Sequence, residues 1–98
     1  MLFRSEIRRY LSIERAKQVS PVITALREHG ETIRDDVLRE AQRRLNKGVD
    51  SREVIEFATA SLLKKLLHNP SVRLRKAGEA RETAIIEATR SLFGIDDD

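Results

Sequence analysis

Apolar and polar residues recur along this chain with helical, not strand, spacing. From Phe3 to about Gln18 the apolar positions are Phe3, Ile7, Tyr10, Leu11 and Ala16, with Arg4, Arg8, Arg9, Glu14, Arg15 and Lys17 between them. The pattern begins without a capping residue, so residues 1–18 are expected to be the end of a helix that starts further back. Ser20 and Pro21 are expected to break or kink it, with Ser20 as a cap and Pro21 in a first helical turn. A second helix is expected over 20–47. Its stripe contains Val22, Ile23, Leu26, Ile33, Val37, Leu38, Ala41 and Leu45, including the seven-residue step from Leu26 to Ile33. Gly30 falls within it at a cost of about 1 kcal/mol relative to Ala, either at a close helix crossing or as a weak point.

Gly48 suits the left-handed position that ends a helix, and Asp50 with Glu53 resembles a capping box opening a third helix over 50–68. That helix is apolar on most sides: Val54, Ile55, Phe57, Ala58, Ala60, Leu62, Leu63, Leu66 and Leu67. A helix apolar nearly all round must be surrounded. The other helices of so short a chain are too few to surround it, which points to association between chains. Asn69-Pro70 is expected to stop this helix, because the residue before proline is pushed out of the helical region. The triplet His68, Asn69 and Pro70 is therefore read as a structural corner. A short helix over 70–77 closing at Gly78, a last helix over 79–93 and a frayed tail over 95–98 complete the pattern.

Composition sharpens this picture. The 98 residues make one domain, 1–98, near the lower limit for a self-sufficient core. Hydrophobic residues are 40% and charged residues 36%, with few aromatics and little Gly or Pro, which favours helices over a sheet. The expected fold is all-α, with long antiparallel helices forming a bundle between subunits and no sheet. There is no cysteine, so neither a disulfide nor a thiolate site can form. No apolar run is long enough to span a bilayer, and charges interrupt the N-terminal segment where a secretion signal would need to be apolar. A cytoplasmic protein with no membrane partner is the expectation.

Reaction chemistry is thinly supplied. His29 and His68 belong to no metal-ligand spacing, and the carboxylates are interleaved with Arg and Lys as on solvated helix faces. No glycine-rich phosphate loop is present. The expected catalytic, cofactor-binding and metal residues are accordingly none. The basic group Lys64, Lys65, Arg73, Arg75 and Lys76 has two readings. It is either a phosphate-binding patch of a helical module that contacts nucleic acid, or a set of solvated cations that complement a helix end. No aromatic side chain is interleaved to stack on a base. The residues expected to be buried, within or between subunits, are Leu26, Ile33, Val37, Leu62, Leu63 and Leu66.

The stretch from Ala58 to Leu74 resembles a signature of the C-terminal dimerisation domain of glutamyl-tRNA reductases. Thr59, Ser61, Leu62, Lys65, Leu67, His68, Pro70, Val72, Arg73 and Leu74 fit that pattern, whereas Lys64 and Ala60 depart from it. Pro21-Val22-Ile23-Thr24-Ala25-Leu26-Arg27 and Leu92-Phe93-Gly94 are similar to two further family segments, so the resemblance runs through nearly the whole chain. It implies a non-catalytic part of an NADPH-dependent enzyme that makes glutamate-1-semialdehyde from glutamyl-tRNA in tetrapyrrole (porphyrin) synthesis. It also implies that residues 1–18 are the end of a spinal helix joining the enzyme's domains, and that the helical domain forms a homodimer. The partners it implies for the whole enzyme are tRNA(Glu), and glutamate-1-semialdehyde aminotransferase or a regulator.

Overall fold

The computed structural model describes residues 4–95. They form three helices and, among the described residues, no strand: α1 (Arg4–Asn46), α2 (Ser51–Glu79) and α3 (Thr83–Leu92). The expected helix start at Phe3 and the tail residues Asp96, Asp97 and Asp98 lie outside the described residues. At 1.5 Å per residue α1 is about 65 Å long, and it accounts for most of the molecule's 71 Å longest dimension. α1 packs on α2 and α2 on α3, while α1 and α3 do not pack on one another.

Two breaks expected from proline do not occur. α1 runs through Ser20 and Pro21, so the segments expected as 1–18 and 20–47 are parts of one helix. Likewise α2 runs through His68, Asn69 and Pro70, so no corner forms there, and the helices expected at 50–68 and 70–77 are continuous. A proline inside a helix removes one donor and crowds the carbonyl four residues back. Here that leaves the carbonyls of Lys17 and Leu66 without their usual helical partner. Long helical stretches on both sides outweigh the local loss at each site. Near Pro21, the Ser20 hydroxyl also donates to the Ala16 carbonyl at 3.1 Å.

Each helix ends in the same turn. After α1, Gly48 has φ 86°, its N–H bonds the Leu45 carbonyl at 3.0 Å, and the Val49 N–H reaches the Arg44 carbonyl at 3.1 Å. These are the paired bonds of a Schellman motif, with glycine at the left-handed position. Gly94, at φ 64°, and Ile95 repeat it after α3. α2 departs from expectation: Gly78 stays helical, and Arg81 takes the left-handed position at φ 57°. The Glu82 N–H then bonds the Ala77 carbonyl at 2.8 Å. The last helix consequently begins at Thr83, not at residue 79. Asp50 precedes α2 and its carbonyl accepts the Val54 N–H at 3.0 Å, but its side chain makes no cap bond, so the expected capping box is not formed.

The core is small. Val37 and Ala41 of α1, with Val54 and Ala77 of α2, are the buried hydrophobic residues among those described. The radius of gyration is 20.1 Å, against about 13 Å for a compact domain of this length.

Candidate interaction surface

The α1–α2 hairpin is closed near its turn. Val37, Leu38 and Ala41 of α1 face Ala58, Thr59 and Leu62 of α2 across a narrow apolar groove that Arg34 borders. Close to the turn, the Arg44 guanidinium lies 3.5 Å from the centroid of the Phe57 ring, linking the helices through the ring's negative face. Arg44 Nε also donates to Glu40 Oε1 at 3.1 Å, and Arg43 pairs with the other Glu40 oxygen. The Arg44 hydrogen bond, together with the positive charges of Arg43 and Arg44, holds the Glu40 carboxyl below its usual range despite an opposing contribution from partial desolvation.

Away from the turn the same stripe is bare. Val19, Ile23, Leu26, Gly30, Ile33 and Val37 follow one another at alternating steps of four and three, the spacing of a coiled-coil seam. Val37 is 4% exposed, Ile33 is half-buried and Leu26 is 66% exposed. α2 therefore covers only the C-terminal part of the seam. On α2 itself, Leu63, Leu66, Leu67, Pro70, Leu74 and Ala77 share a face by three- and four-residue spacing. Its C-terminal members Leu74 and Ala77 are half-buried and buried, whereas Leu63 at 59% and its neighbours Leu66 and Leu67 are exposed. Of the six residues expected to be buried, a single chain buries Val37, half-buries Ile33 and Leu62, and exposes Leu26, Leu63 and Leu66.

The basic group is divided. Lys64, Lys65, Arg75 and Lys76 are all exposed, and the helical repeat sets them along one side of α2 together with His68. Arg73 is half a turn out of phase with Lys64 but only three residues before Lys76, so it stands at the edge of that side. There its Nη2 donates to Glu82 Oε2 at 3.0 Å, joining α2 to the segment before α3. No group of carboxylates and histidines among the described residues could hold a metal ion. Among the described residues no helix is long and apolar enough to cross a membrane.

Sequence reasoning missed the Arg44–Phe57 contact and the left-handed Arg81. A signal for the first was present, since Arg44 lies seven residues beyond Val37 on the same stripe.

Total accessible area supports the reading of an unfinished surface. The chain exposes 8881 Å², roughly 3,000 Å² more than a compact monomer of its mass. Comparison with known proteins points the same way. Residues 2–95 match the family described as "Glutamyl-tRNAGlu reductase, dimerisation domain". A glutamyl-tRNA reductase of Neisseria gonorrhoeae (strain NCCP11945) is 34% identical over 95 residues, covering 97% of this chain and 23% of that protein. One from Neisseria meningitidis serogroup B is equally similar. One from Nitrosococcus oceani is 29% identical over 92 residues, covering 94% of this chain and 22% of its own length. The chain thus spans about a quarter of the length of these relatives. No solved structure matches it. With a match to the family over nearly its whole length and an apolar surface left open for a partner, the chain belongs to the glutamyl-tRNA reductase dimerisation-domain family.

Proposed function

We propose that this chain joins two copies of itself, and so couples two subunits of a cytoplasmic glutamyl-tRNA reductase in tetrapyrrole synthesis. The observation that carries this reading is the bare apolar seam from Val19 to Leu26, together with the exposed Leu63, Leu66 and Leu67. An obligate interface buries upward of about 2,000 Å² in total, well within the excess area that two such chains expose. A twofold interface is self-complementary, so both stripes are covered twice by one symmetric contact. The resulting bundle has a core shared between subunits, which compensates for the small core of each.

The residues of this chain do not fit NADPH. Its four glycines lie within helices or in helix-ending turns, and no strand precedes any of them among the described residues. A dinucleotide-binding turn needs a glycine-rich strand-to-helix connection. In this reading the nucleotide and the hydride transfer belong to other parts of the reductase, and this domain supplies the fixed spacing of two such subunits.

Sedimentation equilibrium on the purified chain tests the proposal. A dimer at micromolar concentration is expected, and a stable, fully helical monomer there refutes it.

A second reading rests on Lys64, Lys65, Arg75 and Lys76, four exposed cations on one side of α2. Such a patch suits the phosphate backbone of the enzyme's tRNA substrate, with affinity that falls steeply as salt rises. Titration of tRNA in dilute and concentrated salt decides it, because absence of binding even in dilute buffer leaves association as the sole role.

A further inference from the structure

Gly30 has no explanation within one chain. Gly48 and Gly94 occupy left-handed turns that a side chain would strain, and Gly78 lies at the exposed end of α2. Gly30, by contrast, is deep inside α1, where its φ is not left-handed and where glycine is among the poorest helix formers. A Cβ built on it would meet nothing within 4 Å, so neither α2 nor α3 excludes a side chain at this position. Yet Gly30 sits in register on the apolar seam, between exposed Leu26 and half-buried Ile33. That is where cover from α2 runs out. A glycine that weakens the helix and relieves no clash inside the chain suits a point where another backbone approaches closely from outside.

We propose that Gly30 marks the point of closest approach between α1 and a helix of the second copy, so that absence of a side chain there sets the geometry of association. The proposal rests on the dimer reading above and adds to it a single position that controls how near the helices come. The seam supplies Leu26 and Ile33 as flanking apolar contacts on either side of the crossing. The occupant is a second copy because the same seam continues without a break from the part that α2 covers, and because the excess accessible area is more than a stable dimer needs to bury.

The test exploits two effects of opposite sign. In an isolated helix, Gly30→Ala strengthens α1. At a close crossing, the added methyl forces the helices apart. Sedimentation equilibrium should show the dissociation constant of Gly30→Ala raised by about tenfold or more, and that of Gly30→Leu raised further. Circular dichroism of Gly30→Ala should meanwhile show helicity no lower than in the unmodified chain. Asp35→Ala, on the exposed face of α1 away from the seam, should leave association unchanged. If Gly30→Ala dimerises as tightly as the unmodified chain, or more tightly, the close crossing is refuted while the dimer itself stands. If the unmodified chain is a monomer, the underlying reading fails instead.

Discussion

The guanidinium of Arg44 in α1 sits over the ring of Phe57 in α2, 3.5 Å from its centroid. This contact closes the hairpin beside its turn, where Val37, Ala41 and Val54 form most of the small core. Because Arg44 also bonds Glu40, one cation holds a helix neighbour and a facing ring together. Replacing Arg44 with Met and Phe57 with Leu, singly and together, should give a coupling energy of about 0.5–1 kcal/mol in a double-mutant cycle of urea unfolding. Additive losses would show that the ring acts through its area alone.

Glu40 gives the hairpin a pH dependence of defined sign. Its carboxyl is held below the usual range, chiefly by the Arg44 hydrogen bond and then by the charges of Arg43 and Arg44. A depressed carboxyl contributes its stability above the unfolded-state value and loses it as pH falls through the folded one. Glu40→Gln should therefore be the less stable protein at neutral pH. The gap between the two should narrow on acidification through and below the ordinary glutamate range, and thermal melts followed by circular dichroism would show it. Added salt should shrink the neutral-pH gap, since the pairs are exposed.

Arg81 occupies a position that glycine fills at the ends of α1 and α3. A left-handed backbone brings the Cβ of an ordinary residue close to its own carbonyl. Arg81→Gly should raise stability by roughly 0.5–1 kcal/mol after allowance for the freer unfolded chain. Arg81→Val should lower it, since a branched side chain is worse placed still. Melting temperatures of the two variants check the order.

Several features were legible because they depend on neighbours in sequence. The left-handed turn at Gly48 follows from local geometry alone, and the stripe through Ile33, Val37 and Ala41 follows from periodicity. Pro21 and Pro70 misled for a related reason. A proline penalises its own turn, but whether a helix ends there depends on the stability of the helix on both sides, which no local rule contains. In α2 the segment beyond Pro70 is held by α3, a contact that becomes visible only in three dimensions. The Arg73–Glu82 pair was hidden likewise, because Glu82 reaches Arg73 only once Arg81 has turned the chain back. Bare area was the least legible feature, since periodicity marks a residue as apolar without saying which chain covers it.

Leu26 and Leu63 separate association from folding. Both are mostly exposed in a single chain, so an aspartate at either position leaves the α1–α2 hairpin intact and meets water on the protomer. In the proposed dimer the same charge is buried without a counter-ion, once in each copy, and the burial of two leucines is lost with it. Leu26→Asp and Leu63→Asp should each raise the dissociation constant by about a hundredfold or more. The monomers that result should keep the hairpin's helical signal when diluted. Val37→Asp should behave differently: Val37 is 4% exposed within its own chain, so the charge disrupts the hairpin before any partner is involved. Light scattering and circular dichroism on the three variants distinguish the cases. Should Leu26→Asp and Leu63→Asp both remain dimeric, the bare stripes of α1 and α2 would not be the surfaces that meet.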